Sequence, residues 1–336
     1  MDLSKDSKIF LTGASGFVGN HVLRLLADND FTDITCLKRP QSDLSYLGEA
    51  CINICNWVEG DLLDQALLED CLSGQEVIIN IAADVTFDLR HKKKLLRNAR
   101  DTTSNLVNAG LYNRVGKLIH ISSVAALGRR KKSETIDENN IFSHSQYDTT
   151  YGLAKFLSEM EIWRGHTEGL PATVLCPSMI LGSGNFDKSS INIFRKIYEG
   201  QRFFPTGTTG WVSVEDVAFA VLKCLTGNFS GERFIISAEN LAYKDIFGRI
   251  ASSLKVKRPG IALSPLLGMI LWRIEKFKSI FSDSTPLLTK ETLQSTSVDS
   301  LYDNSKSIKL LGMQYSDMNK TIIESSMKFL QKYAGK

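Results

Sequence analysis

Residues 8–19, KIFLTGASGFVG, run from a short apolar segment into a turn with three glycines, and apolar residues follow at positions 22, 23, 25 and 26. This order predicts a buried strand, a tight turn and a helix. Gly13 permits the turn, Gly16 lets the backbone approach a pyrophosphate, and Gly19 lets the helix pack closely on the strand. Because the N-terminus of a helix offers unpaired N–H groups to an anion, the stretch predicts a dinucleotide site. The residues expected to contact the dinucleotide here are Gly13, Ser15, Gly16, Phe17, Val18 and Gly19.

Strands and helices alternate through the first half of the chain. Segments that predict strands lie at 33–38, 56–60, 77–83 and 117–121, and segments that predict helices lie at 65–72 and about 90–109. The alternation predicts an α/β fold, a doubly wound parallel sheet (Rossmann fold) whose ligands bind beyond the carboxyl ends of the strands. We expect residues 1–176 to form mainly this dinucleotide-binding domain. Residues 177–336 are expected to form mainly a smaller C-terminal substrate-binding subdomain, with segments at about 211–236 returning to the first domain.

A basic pair, Lys38 and Arg39, ends the second predicted strand, and Arg39 lies twenty residues beyond Gly19. A carboxylate near that point would bond the ribose 2′-hydroxyl of NAD, whereas a basic residue suits the 2′-phosphate of NADP. The sequence therefore favours NADP(H) over NAD(H), although a solvated loop would account for the same two residues.

Polar or small residues follow the next three predicted strands. Asp61, with Leu62 beside it, is placed to accept a hydrogen bond from an adenine amino group. The small side chains of Ala82 and Ala83 would let a cofactor lie against the end of the fourth strand. Ser123 follows the fifth strand, at the rim where a substrate would bind. Taken alone, such a serine is more simply explained as a helix cap.

Tyr151 and Lys155 lie four positions apart on a predicted helix, so both project from one face and can act on one atom. A phenol with an ammonium one turn away can serve as a general acid or base. The apolar residues of this helix predict the face that packs on the core: Leu153, Phe156, Leu157 and Met160.

The composition is that of a globular protein. Hydrophobic residues make up 43% and charged residues 23% of the 336 residues, and the net charge of +3 is too small to indicate a nucleic-acid partner. The polar residues 1–8 lead into no signal-peptide apolar region, which predicts a cytoplasmic protein. The longest apolar stretch, 261–274, is short for a membrane span. The six cysteines lack metal-site spacing, so no metal is expected, and the run Arg129–Lys132 is expected to be solvated, with contact to an anion left open.

Several of these residues together resemble the extended short-chain dehydrogenase/reductase family, within the NAD-dependent epimerase/dehydratase superfamily: Gly13, Gly16, Gly19, Ser123, Tyr151 and Lys155. The segment 302–312 is similar to the dihydroflavonol-reductase and 3β-hydroxysteroid-dehydrogenase-like branch. The resemblance implies that Asp61 binds adenine, that Asn98 orders a water near Lys155, and that Pro177 contacts the cofactor. It also selects Ser123, which lies five residues before Gly128, and with a shifted register the adjacent Ser122 is the candidate. Cys176 departs from the pattern, because arginine is common there and shapes the rear of the cleft. The family often pairs through the helices that are here at about 90–109 and 151–166, which implies a homodimer.

The activity that the resemblance implies is NADP(H)-dependent reduction of a carbonyl in a small molecule, or oxidation of the matching alcohol. Ser123 and Tyr151 would hold the carbonyl oxygen, and Tyr151 would deliver the proton. A tyrosine pKa near 10 would have to fall by about three units for this work at neutral pH, and the Lys155 ammonium is expected to lower it. Large aromatic residues in the second half, among them Phe186 and Trp211, favour an apolar substrate. Two alternatives remain open: an NAD-dependent nucleotide-sugar epimerase or dehydratase, and a non-catalytic NAD(P)-binding sensor or assembly protein.

Overall fold

The computed structural model describes residues 4–83, 92–129, 135–187, 189–264, 268 and 289–333. The strands in chain order are β1 (Ile9–Thr12), β2 (Ile34–Lys38), β3 (Cys55–Glu59), β4 (Val77–Asn80), β5 (Lys117–Ile121), β6 (Thr135–Ile136), β7 (Ala172–Pro177), β8 (Met179–Leu181), β9 (Phe203–Pro205), β10 (Thr208–Ser213), β11 (Arg233–Ile236), β12 (Glu239–Ala242), β13 (Ile261–Leu263) and β14 (Leu301–Tyr302). The helices are α1 (Phe17–Asp28), α2 (Glu49–Asn53), α3 (Gln65–Cys71), α4 (Lys92–Tyr112), α5 (Thr150–Thr167), α6 (Asn192–Tyr198), α7 (Val214–Thr226), α8 (Tyr243–Ser253), α9 (Lys290–Ser295), α10 (Ser305–Leu311) and α11 (Met318–Tyr333). A 3-10 helix spans Val124–Leu127.

A seven-stranded sheet forms the centre of the molecule, in the order β11-β7-β5-β4-β1-β2-β3. Its six neighbouring strand pairs are all parallel. The chain moves outward from β1 to β3 on one side and then crosses back to β4 on the other, so the strand order reverses between β1 and β4. Ligands of such sheets bind at that reversal, beyond the carboxyl ends of the strands. The prediction of a doubly wound parallel sheet is confirmed.

Helices cover both faces of this sheet because its strands are apolar on both sides. In β1, Ile9 and Leu11 belong to one core cluster, which also contains residues of α1 and α7. Phe10, between them, belongs to a second cluster with residues of α3, α4 and α5. All four residues of β1 and all four of β4 are buried. Continuous burial of this kind is the pattern of central parallel strands and explains why the runs at 9–12 and 77–80 show no polar alternation.

The buried face of α5 differs from the sequence prediction. Leu153, Phe156 and Leu157 are only half-buried and Met160 is 47% exposed, so these residues do not form the face that packs on the core. That face is made mostly of small and polar residues, namely Gly152, Ala154, Lys155, Ser158, Glu159, Ile162 and Gly165. Close approach of neighbouring elements is the reason: a Cβ at Gly152 would lie 2.7 Å from the carbonyl oxygen of Ala125, and one at Gly165 would lie 2.5 Å from Cγ1 of Val107.

The second half of the chain builds smaller sheets, ordered β12-β10-β8 and β13-β9, around a core of its own. Phe186 and Trp211 lie in that core at 1% exposure each, so they contribute to packing and give no support to an apolar substrate. After β10 the chain returns to the large sheet, since α7 shares a core cluster with α1 and β11 pairs with β7. Across the described ranges, no helix combines the length and the apolar character that crossing a membrane requires. Most of 261–274 lies outside the described residues.

Candidate active site

The glycine turn between β1 and α1 leaves a concave backbone surface at the strand-order reversal. Gly13 adopts a φ of +77°, and a Cβ there would lie 2.7 Å from the backbone nitrogen of Ala82 at the end of β4. A Cβ at Gly19 would lie 2.0 Å from the carbonyl oxygen of Gly13. The N-cap of α1, Gly16, makes no side-chain capping bond to the first turn of the helix. The turn therefore fits a pyrophosphate, because side chains would fill the cradle and the helix N-terminus presents amide donors to an anion. Ser15, Phe17 and Val18 lie in this turn and the first helical turn, as predicted.

The residues predicted to bind the adenosine half follow β2 and β3, on one side of β1. Arg39 comes directly after β2 and is exposed. Lys38, beside it, pairs with Glu59, with Nζ 2.7 Å from Oε2. Asp61 is exposed just past β3, where its Oδ1 accepts from the backbone N–H of Leu63 at 2.9 Å.

The neighbouring residue, Leu62, is half-buried, and its carbonyl oxygen accepts from Nδ2 of Asn105 at 3.1 Å. This bond ties the loop after β3 to α4. At the end of β4, Ala82 is half-buried and Ala83 is exposed. Both alanines stand on the same sheet edge as the glycine turn, since β4 and β1 are parallel neighbours.

Ser123 and Tyr151 meet at the end of β5. Ser123 is the N-cap of the 3-10 helix, and its Oγ accepts from the backbone N–H of Ala125 at 3.2 Å. The same hydroxyl is hydrogen-bonded to the phenol of Tyr151. Tyr151 lies in the first turn of α5, which begins after Thr149, whose hydroxyl accepts from the backbone N–H of Gly152 at 3.0 Å. The structure therefore brings together two hydroxyl groups that the sequence separates by 28 positions.

Lys155 lies one helical turn after Tyr151 and is 6% exposed. Its Nζ donates to the carbonyl oxygen of Ile121, the last residue of β5, at 2.8 Å. Burial lowers the pKa of Lys155 to about 8, so the side chain remains mostly an ammonium at neutral pH.

The pKa of Tyr151 moves opposite to the sequence expectation. Burial of the phenol raises its pKa, and the hydrogen bond from Ser123 only opposes this. The expected lowering by Lys155 does not offset it, because the ammonium is engaged with the Ile121 carbonyl and burial penalises the phenolate. The chain alone therefore holds Tyr151 as a protonated phenol at neutral pH.

Asn98 and Pro177 lie at the borders of this site. Asn98 is half-buried on α4, and the next carbonyl, of Ala99, accepts from Oγ of Ser158 on α5 at 2.8 Å. This contact places Asn98 beside the helix turn that follows Lys155. Pro177 is buried at the end of β7, opposite Ile236 of β11.

Glu159 is a residue of this region that the sequence argument missed. It is 2% exposed and its Oε2 accepts from Oγ of Ser122 at 2.9 Å. Because Ser122 is engaged with Glu159, the structure assigns the hydroxyl that faces Tyr151 to Ser123. The i, i+4 spacing from Lys155 to Glu159 was the signal that could have indicated it.

A polar chain also crosses the strand ends below the site. Thr12 Oγ1 donates to Asn80 Oδ1 at 2.7 Å, and Asn80 Nδ2 lies 3.1 Å from His120 Nδ1. Burial, together with the nearby Lys155, holds the pKa of His120 well below its usual value, so the imidazole is neutral. These bonds fix β1, β4 and β5 relative to one another at their carboxyl ends.

Other sequence predictions concern the charged run and metals. The backbone N–H of Arg129 donates to Asp148 Oδ1 at 2.7 Å, whereas residues 130–132 lie outside the described part of the chain. All six cysteines are free thiols. No group of His, Cys, Asp or Glu suited to a metal ion occurs among the described residues.

Comparisons with known proteins show the family and agree with the fold. The model of the NAD dependent epimerase/dehydratase family matches residues 9–237. Sterol demethylase protein B of Methylococcus capsulatus is 25% identical over 308 residues, which are 90% of this chain and 92% of that protein. A putative dihydroflavonol 4-reductase of Synechocystis sp. is 22% identical over 323 residues, which are 94% of this chain and 92% of that protein.

Among solved structures, the crystal structure of gox2253 matches with a TM-score of 0.83 at 27% identity, covering 98% of this chain and 99% of that one. The family match spans the glycine turn, the Ser123–Tyr151 pair, Lys155 and the return of the chain at β11. The chain therefore belongs to the NAD-dependent epimerase/dehydratase family and is an NAD(P)-dependent enzyme of the extended short-chain dehydrogenase/reductase type.

Proposed function

We propose that the chain is an NADP(H)-dependent reductase that converts a carbonyl of a small, largely apolar molecule to an alcohol. The observation that carries this proposal is the hydrogen-bonded hydroxyl pair of Ser123 and Tyr151 at the carboxyl end of β5, with the Lys155 ammonium buried one turn below. Two hydroxyl donors and a cation suit a carbonyl oxygen that gains negative charge as hydride arrives at its carbon.

In this mechanism Ser123 and Tyr151 donate hydrogen bonds to the substrate oxygen, and Tyr151 then delivers its proton. Lys155 stabilises the phenolate that forms, because its ammonium lies on the same helix face. Asn98, by the family resemblance, would hold a water that returns a proton towards Lys155. The bound nicotinamide supplies the hydride, while the residues of the glycine turn hold the pyrophosphate.

The protonation state of Tyr151 supports the direction of the reaction. Since burial raises the pKa of the phenol, the chain keeps this group in the form that donates a proton to a reduced substrate. Oxidation of an alcohol would require the phenolate before the reaction starts. The described environment therefore matches the proton-donating role that reduction requires of Tyr151.

Arg39 supports NADP(H) as the cofactor. It is exposed directly after β2, at the carboxyl end of the strand that pairs with β1. A guanidinium there suits the 2′-phosphate, and Asp61 past β3 would accept from the adenine amino group.

The apolar character of the substrate is supported by the relatives. Two relatives that span most of this chain are named for a sterol and for a dihydroflavonol. The resemblance implies that Cys176 replaces a common arginine at the rear of the cleft, but its side chain is 0% exposed and so adds no support of its own.

The proposal extends to the arrangement of the protein. Residues 1–176 would mainly bind the dinucleotide, and residues 177–336 would mainly form the substrate side, with 211–236 returning to the first unit.

The half-buried side chains of Leu153, Phe156 and Leu157 on α5 support a homodimer through α4 and α5. We place this enzyme in the cytoplasm.

The test is NADPH consumption with a panel of apolar carbonyl compounds, comparing the wild type with Tyr151→Phe. The variant should bind NADPH with nearly unchanged affinity and lose turnover by orders of magnitude. Tyr112→Phe is the matched control, since Tyr112 is 73% exposed on α4 and should retain full activity. Normal turnover in Tyr151→Phe would refute the role of the phenol. A nucleotide that stays oxidised and bound through purification would favour the epimerase or dehydratase alternative instead.

A further inference from the structure

Glu159 is a carboxylate buried behind the site, and none of the roles proposed so far uses it. It is 2% exposed, and burying a charged group costs several kcal/mol unless hydrogen bonds and an opposite charge compensate. Four donors contact it: Ser122 Oγ at 2.9 Å, Trp163 Nε1 at 3.1 Å, Arg233 Nη1 at 2.6 Å and, more weakly, Cys176 Sγ at 3.9 Å.

Arg233 supplies the balancing charge from β11. Its Nε donates to the carbonyl oxygen of Glu138 at 3.0 Å, and its Nη2 donates to the carbonyl oxygens of Glu138 and Asn140. One guanidinium therefore joins α5, β11 and the loop after β6. The carboxylate of Glu138 is occupied elsewhere, because its Oε1 accepts from the backbone N–H of Ile235 at 2.8 Å.

Three residues at successive turns of α5 each hold one residue at the end of β5. Tyr151 bonds the hydroxyl of Ser123, Lys155 bonds the carbonyl of Ile121, and Glu159 bonds the hydroxyl of Ser122. The spacing of 151, 155 and 159 places them along one face of the helix. The segment 121–123 is thus held against α5 at three consecutive points, of which Glu159 supplies the one farthest from the substrate.

We propose that Glu159, balanced by Arg233, is a positioning residue: it holds the strand end that bears Ser123 and keeps the neighbouring Lys155 in its ammonium form. The inference rests on the proposed function for the role of Lys155, but its electrostatic part is measurable without turnover. Ser122 carries the mechanical part of this role, because its hydroxyl bonds Glu159 and its backbone continues directly into Ser123.

Several titratable groups on α5 and on the strands packed against it lie near Lys155. Among those in the described residues, Glu159 is the one that carries a negative charge. His120 on β5 is neutral, because burial holds its pKa well below the usual value. Cys176 on β7 is a neutral thiol, because burial raises its pKa well above the usual value. Arg233 on β11 is a cation that faces Glu159. Burial lowers the pKa of Lys155 to about 8, and Cys176 and Glu159 oppose that shift. Because the Cys176 thiol is neutral, the charge that opposes the shift at neutral pH is that of Glu159.

The experiment is an NMR titration of protein with ¹³C-labelled lysine, in which the resonance that disappears in Lys155→Met reports on Lys155. The wild type should titrate at about 8. Glu159→Gln should lower that midpoint by roughly one unit or more, because an opposite charge one helical turn away is removed. Glu161→Gln is the matched control on the same helix, where Glu161 pairs with Arg164; it should leave the midpoint unchanged. An unchanged midpoint in Glu159→Gln would overturn the electrostatic role, whether or not the enzyme shows turnover.

Ser122→Ala tests the positioning part and should fold, since it removes one hydroxyl. It should lower kcat by about tenfold while leaving NADPH affinity and the Lys155 midpoint in place. Full kcat in this variant would overturn the positioning role. Arg233→Met should lose thermal stability by leaving the carboxylate unpaired, and adding Glu159→Gln should restore most of the loss. Equal, additive losses would overturn the pairing.

Discussion

Gly19→Ala should damage the cofactor site through one steric overlap. A Cβ at position 19 would lie 2.0 Å from the carbonyl oxygen of Gly13, 2.7 Å from its carbonyl carbon and 2.8 Å from Cα of Ala14. Ordinary contact begins near 3.4 Å, so the peptide after Gly13 must move by about 1.4 Å, the difference between 3.4 and 2.0 Å. Backbone atoms lie on both sides of the overlap, and no flexible side chain can relieve it.

The displaced peptide borders the pyrophosphate cradle, so the expected loss is mainly in binding. A displacement of about 1 Å within a site can weaken its function about a hundredfold. Overpacking costs about 1–3 kcal/mol of folding free energy. We therefore expect the Kd for NADPH, measured by fluorescence titration, to rise at least about a hundredfold while the variant remains folded by circular dichroism. Gly260→Ala is the control, because a Cβ there meets no atom within 4 Å. Wild-type affinity in Gly19→Ala would refute the assignment of this turn to the cofactor.

Four further predictions concern charged groups. Arg39→Ala should weaken NADPH binding about tenfold or more and leave NADH nearly unchanged in parallel titrations; equal weakening would remove the case for a 2′-phosphate contact. Reductive turnover should fall as pH rises through about 8, because Lys155 then loses its proton; a pH–kcat profile that is flat to pH 10 would contradict this. Glu291→Gln should lower kcat, since the carboxylate of Glu291 accepts from the backbone N–H and hydroxyl of Thr150 at 2.7 and 2.8 Å, one residue before the catalytic phenol; its thermal unfolding should show a loss of about 1–2 kcal/mol. Lys117→Met should destabilise the fold by about 2 kcal/mol in urea unfolding, because its Nζ donates to three carbonyl oxygens at the end of α7, and an unchanged midpoint would contradict that role.

The sequence was most informative where short-range patterns suffice. The runs at 9–12, 77–80 and 117–121 are mostly apolar and are buried throughout, as central strands covered on both faces require, so the parallel sheet could be predicted. The glycine turn could also be predicted, because its three glycines lie within seven residues and each lies where a Cβ would be crowded by nearby backbone atoms.

The buried face of α5 could not be predicted from apolar periodicity. Close helix packing and strand-end contacts select glycine, serine and charged residues there, which a hydrophobic pattern assigns to solvent. The larger apolar residues Leu153, Phe156, Leu157 and Met160 lie partly exposed instead. Hydrophobic spacing therefore identified the helix and gave the wrong orientation.

The polar network behind the site could not be predicted from the sequence either. Ser122 and Glu159 are 37 positions apart, and Arg233 lies 74 positions beyond Glu159, so only the fold brings them together. The direction of the Tyr151 pKa was missed for a related reason: desolvation depends on the atoms that surround the phenol, and these come from distant segments.

The most direct test of the central claim is deuterium transfer from NADPH that carries deuterium at both hydrogen positions of the nicotinamide C4. With a carbonyl substrate from the panel, the wild type should place deuterium on the former carbonyl carbon and release NADP⁺ in equal amount. Tyr151→Phe should bind the labelled cofactor and yield almost no labelled alcohol. A labelled product from Tyr151→Phe at the wild-type rate, or turnover by the wild type without transfer of the label, would contradict the account.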